Sequence, residues 1–285
     1  MNILDHDLVD HALEMPLYWR MQRFEARWFV SVYEKRQNMK PVLLEFAKLD
    51  YNMVQAKYLE ELKQLSRWNK DISLAEKMSF ARDRLVEGFL WAIGCTPDPQ
   101  FEYCRKIITK LSVLVTVLDD VYDIYGSLDE LEIFTDVIQR WDVNAAETLP
   151  EYMKICFLAI FNSMNELGYD VLKDQGLSII TNTRKQDEML RGDSAKSIQC
   201  YMRERRCSEE KAREYMNGLI AETWKKLNTE LERIERPLPK EFRRTAMNVP
   251  RIAQFIYQHG DGFGLGQDEF KNRIMALLFE PIPMP

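Results

Sequence analysis

Glycine and proline are scarce, at 11 each among 285 residues. A fold of many short strands needs turn residues more often than that, so long helices with few breakers fit better. Long apolar runs are missing too. Stretches such as Leu111 to Leu118 and Ile155 to Phe161 fall well short of the roughly 20 residues that span a bilayer, so no membrane span is expected. There is no basic excess: the formal net charge is −6. That excludes a non-specific nucleic-acid binder, which needs a cationic face to neutralise phosphates. The densest basic cluster, Arg203-Glu204-Arg205-Arg206, reads as a solvated helix face. Cysteines number five (Cys95, Cys104, Cys156, Cys200, Cys207), placed singly and without zinc-site spacing. An odd, dispersed set suits a reducing compartment and core filling. The first residues carry Asp5, Asp7 and Asp10, whereas organelle transit peptides are poor in acids. A mature form, or a chain that starts partway through a longer product, is the expectation.

What is present is an ordinary globular balance, 46% hydrophobic and 29% charged, in one large domain over residues 1–285, with two small ones as the alternative. Apolar positions recur every three to four residues. The stripe Ile107, Ile108, Leu111, Leu114, Val115, Leu118, Val121, Tyr122, Tyr125 predicts one helix of about five turns. Similar stripes predict helices near 18–34, 41–67, 74–93, 129–141, 150–172, 208–233 and 241–258. No fixed-period repeat marks a solenoid. The fold class is therefore all-α. The glycine cluster at 260, 262, 264 and 266 is a loop that serves either as a lid or as a plain connector.

The segment Asp119-Asp120-Val121-Tyr122-Asp123 carries the chemistry. Residues 119 and 123 lie one helical turn apart on one face, in a row with the small polar residues Ser112 and Thr116 that can line a cavity. Two carboxylates 4 Å apart repel by about 4 kcal/mol at an effective dielectric near 20, and a helix C-terminus adds to the penalty. No Lys or Arg follows within the next turn, so a bound cation is the simplest compensation. All-oxygen ligation suits Mg²⁺, which shares its shell with substrate phosphates. Alone, the pattern reads first as an acidic helix end. Upstream stand Arg82 and Arg84, with Trp91 on the face of Arg84 through Gly88. Guanidinium forks suit diphosphate oxygens and an indole face suits a carbocation. Taken singly, Arg84 reads first as a surface ion pair and Trp91 reads first as core.

Taken together, the stretches Leu118-Asp-Asp-Val-Tyr-Asp-Ile-Tyr-Gly126, Phe80-Ala-Arg-Asp-Arg-Leu-Val-Glu87, Trp19-Arg-Met-Gln-Arg-Phe-Glu-Ala-Arg-Trp28, Leu44-Glu-Phe-Ala-Lys-Leu-Asp50 and Arg191-Gly-Asp-Ser-Ala-Lys-Ser-Ile-Gln-Cys200 resemble the plant terpene synthases. The likeness covers nearly the whole chain, in order. It is greatest to angiosperm monoterpene cyclases of the limonene and sabinene type, especially around Arg140-Trp-Asp-Val-Asn144. The resemblance implies a helical-bundle catalytic domain and Mg²⁺ (with Mn²⁺ as the alternative) on Asp119 and Asp123, with Asp120 in support. It implies that Arg82, Arg84 and Lys196 hold the diphosphate of a prenyl substrate, that Trp91 lines the pocket, and that Asp261 belongs to a lid. It further implies a monomer or weak dimer, and the plastid stroma as the family's compartment, or the cytoplasm if the chain is made as it stands.

Two departures from the family pattern stand out. The family's N-terminal helical domain has no counterpart here. Its second metal motif, Asn/Asp-Asp-x-x-Ser/Thr-x-x-x-Glu, aligns backwards from Arg191 with Glu188 as the glutamate, but Arg184 and Ile180 occupy the other ligand positions. An in-frame join near 186–187 accounts for this, with roughly 80 residues gone, enough for several helices of typical length. The expected function is Mg²⁺-dependent ionisation of geranyl diphosphate, impaired by that loss. The alternatives are a vestigial protein that only binds diphosphate or a partner, and a helical interaction protein whose acidic motif is incidental.

Overall fold

The computed structural model describes residues 3–176, 197–233, 239–257 and 268–284, and every regular element among them is helical. In chain order these are α1 (Ile3–Glu14), α2 (Gln22–Glu34), α3 (Pro41–Ile72), α4 (Leu74–Lys77), α5 (Leu85–Cys95), α6 (Glu102–Asp120), a single π-turn (Val121–Tyr125), α7 (Leu128–Arg140) and α8 (Glu151–Gln175). Then come α9 (Ser197–Arg205), α10 (Glu209–Arg233), α11 (Lys240–Tyr257) and α12 (Asp268–Leu278). None is long and apolar enough to cross a membrane. The chain divides into two compact units, Met1–Glu188 with Thr245–Pro285, and Met189–Arg244. In the smaller unit the Tyr201 and Tyr215 rings stack at 4.1 Å, joining α9 to α10.

Two apolar clusters build the larger unit. The first gathers Tyr51, Tyr58, Phe89, Leu90, Ile93, Ile252 and Leu277. The second gathers Met78, Val117, Val121, Phe134, Met153 and Phe157. Helix α6 joins them, with Val113 in the first and Val117 in the second. Pro41 opens α3 at a position whose N–H needs no partner, and Ser73 ends it in the left-handed region at φ 52°. Helices α5 and α6 approach closely because Gly88 lets the Ser112 side chain in; a Cβ there would lie 3.1 Å from it. Gly94 does the same for α11: an added Cβ would sit 2.4 Å from Ile252, whose side chain is fully buried. The C-terminal segment is tied to α3. Gln55 Nε2 donates to the Leu277 carbonyl at 2.9 Å, and Asn52 exchanges two 2.8 Å bonds with Ile282.

Arg105 sits wholly inside, with 0% of its side chain exposed. Its Nε and Nη2 grip both oxygens of Glu61 at 2.7 and 2.6 Å, and Nη1 donates to the carbonyls of Thr96 and Asp98 at 2.7 and 2.6 Å. One residue thereby fixes α3, α6 and the connection from α5 to α6. Nothing in the helical stripes marks this pair, because its partners are 44 residues apart.

Three sequence expectations are corrected. The helix expected over 74–93 is two helices with a loop at 78–84 between them. Asp83 starts the second: its Oδ1 accepts the Leu85 N–H at 3.2 Å. The stripe through Tyr125 is α-helical only to Asp120, then widens into the π-turn, where the Gly126 N–H reaches the Val121 carbonyl at 2.8 Å. Third, α1 and α12 were not foreseen, and of α9 only the basic end at Arg203–Arg205 was read as helix. Helix α7 begins as its sequence dictates, with a capping box in which Ser127 and Glu130 bond reciprocally.

Removing the carboxylate of Glu61 strands a buried guanidinium. Glu61→Ala should therefore cost about 3–5 kcal/mol in chemical denaturation, the range for breaking one side of a buried pair. A loss within error of zero would show the pair to be dispensable. The second expectation concerns pH. The Ser127 N–H first, then the Ser127 and Tyr152 hydroxyls, hold the Glu130 carboxyl below its usual range. Folding therefore favours the ionised form. That stabilisation is complete above the unfolded value of about 4.3 and fades as pH falls through the lower folded value. Melting temperatures of wild type and Glu130→Gln should accordingly differ at neutral pH and converge as the pH is lowered through the depressed folded value.

Candidate active site

The acidic motif stands where α6 leaves the second apolar cluster. Asp120 faces inward with 0% exposure, while Asp119 and Asp123 face solvent, the Asp119 side chain being 58% exposed. The alternation follows from helix geometry: Val117, Leu118 and Val121 are buried, and Asp120 lies on their side of the helix.

A buried carboxylate needs donors, and Arg82 supplies them. Its backbone N–H donates to Asp120 Oδ2 at 2.8 Å, and its Nε and Nη2 reach Oδ1 at 2.8 and 2.6 Å. Nη2 also touches Asp119 Oδ2 at 3.3 Å. This corrects the expectation that the motif has no basic partner. The partner comes from 37 residues upstream of Asp119 rather than from the next turn. It also leaves Arg82 turned towards the carboxylates, not poised alone for a diphosphate.

Compensation is incomplete. Partial burial, and then the neighbouring Asp123 charge, push the Asp119 carboxyl above its usual range, and Arg82 offsets only part of this. Asp119 and Asp123 thus keep a concentrated negative field that faces solvent. Among the described residues no three His, Cys, Asp or Glu side chains form a ready metal cage. Two carboxylates with an open side suit Mg²⁺, which retains water or phosphate oxygens in the rest of its shell. The residues present therefore fit that ion.

Arg84 immediately precedes α5 and its Nη1 lies 3.4 Å from Glu87 Oε1. Burial pushes the Glu87 carboxyl up, and Arg84 draws it back only in part. Trp91 is partly buried against the first apolar cluster. The hydroxyls expected to line a cavity are already committed: Ser112 Oγ and Thr116 Oγ1 donate to the carbonyls four residues back, each at 2.9 Å. Val115, one turn before Asp119, is 51% exposed, so the apolar face beside the motif is open. Glu188, Lys196 and Asp261 lie outside the described residues. Two clefts, of about 350 and 470 Å³, lie elsewhere, one lined by His11, Arg20, Trp28 and Phe255, the other by Trp68, Ile155 and Glu166.

Sequence reasoning missed an aromatic group beside the motif. The rings of Phe80 and Tyr125 stack in parallel at 3.9 Å, and Tyr152 stands edge-on to both, at 6.0 and 5.1 Å. The Tyr152 hydroxyl donates to Glu130 at 3.0 Å. The Tyr122 hydroxyl bonds Thr135 Oγ1 at 2.8 Å. The sequence did not bring the three aromatics together, because stacking across 45 residues leaves no local signature.

Comparison with known proteins bears directly on this arrangement. Residues 70–186 match the profile of the terpene synthase family metal binding domain, and residues 184–226 match that of the terpene synthase family 2 C-terminal metal binding region. The (-)-alpha-terpineol synthase of Vitis vinifera is 44% identical over 358 positions, covering 96% of this chain and 60% of that protein. The chain thus spans about 60% of that relative's length. Since 96% of 285 residues is about 274, some 84 of the 358 aligned positions have no residue here. Among solved structures, limonene synthase with 2-fluorolinalyl diphosphate superposes with a TM-score of 0.92 at 33% identity, covering 98% of this chain and 67% of that one. Isoprene synthase from grey poplar leaves, in complex with three Mg²⁺ ions and dimethylallyl-S-thiolodiphosphate, gives 0.88 at 36%, covering 98% and 69%. With a paired-carboxylate turn at the end of a bundle helix and these likenesses along its length, the chain belongs to the terpene synthase family.

Proposed function

We propose that this chain ionises a prenyl diphosphate, geranyl diphosphate above all, with Mg²⁺ held by Asp119 and Asp123 (Mn²⁺ serving in its place). The observation that carries the reading is the solvent-facing pair Asp119 and Asp123, raised above a buried Asp120 that Arg82 neutralises. When bound, the metal supplies Lewis acidity to the leaving diphosphate. The chain's own residues have three tasks. Asp119 and Asp123 hold the cation at the mouth of the open face. Arg84 lies on the loop side of α5 and offers a guanidinium to the departing diphosphate. Trp91 presents an aromatic surface that favours a nearby allylic cation. Glu188 and Lys196 join as the further metal and diphosphate ligands that the family pattern assigns, and Asp261 as part of a lid.

A second reading, a protein that binds diphosphate but turns it over poorly, is favoured by a specific observation. The alignment leaves about 84 positions of the relative without a counterpart, and the two family profiles meet at residues 184–186, where the second metal motif is broken. The exposed Val115 supports the same idea: an open apolar face admits water, and water quenches a carbocation before it cyclises.

Purified protein incubated with geranyl diphosphate and Mg²⁺ should release diphosphate and give linear alcohols in excess of cyclic products. Asp119→Ala should lower that rate by about a thousandfold, the equivalent of losing about 4 kcal/mol of transition-state stabilisation, with helicity unchanged by circular dichroism. Turnover that survives in the alanine variant, or that persists in excess chelator, would refute the metal assignment.

A further inference from the structure

Of the two proposed ligand carboxylates, Asp119 belongs to the last turn of α6 and Asp123 to the π-turn that follows it. A residue between them, Asp120, and one beyond them, Tyr125, are both fixed to one short loop. Before the turn, Asp120 is gripped by Arg82 through a backbone N–H and two guanidinium nitrogens. After it, Tyr125 lies flat on Phe80 at 3.9 Å with parallel rings, and Tyr152 closes the group from the side. Phe80 and Arg82 are two residues apart in the loop at 78–84. That loop is itself anchored by Met78, which is wholly buried in the second apolar cluster.

The intervening backbone is a π-turn, wider than the α-helix it continues. Such π-turns are rare, occur mostly as single turns within α-helices, and are frequent at functional sites. Here the cause is visible. Tyr125 is 55% exposed, so burial alone does not hold it; its stacking partner does. Gly126 completes the turn, since a Cβ there would meet the Leu131 side chain at 2.7 Å and the Val121 carbonyl at 2.9 Å.

We propose that residues 80–82 form the positioning element of the metal-binding turn, with Phe80 and Arg82 setting the spacing of Asp119 and Asp123 by holding Tyr125 and Asp120. Arg82 then has a positioning task beside any it has towards the diphosphate. This rests on the metal reading above and deepens it. Side chains that orient metal ligands from behind typically change affinity when lost, by 10- to 100-fold, and that sets the expected size of the effect.

The test uses the full chain and a probe that needs no turnover: Mn²⁺ titrated in the presence of inorganic diphosphate and read by electron paramagnetic resonance. Arg82→Ala and Tyr125→Ala should each weaken Mn²⁺ binding by about tenfold or more, and Tyr125→Phe, which keeps the stacking ring, should restore it to within about twofold. Phe80→Leu keeps apolar bulk but not the stack, and so serves if the tyrosine truncation fails to fold; Mn²⁺ affinity should fall while cooperative melting survives. Wild-type affinity in folded Phe80→Leu and Arg82→Ala would overturn the positioning role. An Asp119→Ala variant that still bound Mn²⁺ normally would instead remove the metal reading itself, and this inference with it.

Discussion

A guanidinium shut away from water must have its hydrogens taken up by the protein, and Arg105 meets that demand in a way that organises the larger unit. Its acceptors are the Glu61 carboxylate on α3 and the carbonyls of the connection between α5 and α6. The geometry admits one register of the three helices, because the fork of the side chain matches the carboxylate in a single orientation. The pair adds less net stability than uniqueness of arrangement, as desolvation offsets much of the attraction. With α5 and α6 held in register at this end, their far ends are held too, and there stand Arg84 on one and Asp119 on the other.

The far end repeats the device with a different outcome. Arg82 neutralises the buried Asp120 but leaves Asp119 and Asp123 under-compensated. The inner carboxylate is structural in the sense that the fold has already satisfied it. The outer pair is not satisfied, and a cation shared with a diphosphate would relieve it. One sequence motif thus contains two kinds of aspartate, distinguished by which side of the helix meets the apolar cluster.

The helical stripes placed α3, α6, α7 and α8 to within a few residues, because amphipathic periodicity records burial directly. They merged α4 with α5, because Ala81, Leu85 and Phe89 keep the period across a loop that ends where Asp83 accepts the Leu85 N–H. They passed over α1, where acidic residues drew the reading to charge. The aspartates were legible as a motif; their differing burial was not marked, and the service of Arg82 to Asp120 was hidden by sequence distance. The aromatic group around Tyr125 was hidden for the same reason. Lys196, Glu188 and Asp261 came from family pattern alone.

The bonds from α3 to the C-terminal segment bear on how much chain can be missing between them. Gln55 and Asn52 meet partners 222 and 230 residues further on, so the bundle is closed as one very large ring. The entropy of closing a ring grows only with the logarithm of its length. Adding some 84 positions to a ring of 230 residues would change that cost by only about 0.3 kcal/mol. The frame is therefore nearly indifferent to the length of what it encloses. A chain can keep the family's scaffold, and superpose on limonene synthase at a TM-score of 0.92, while the length of chain between its tied ends is cut or restored at little entropic cost.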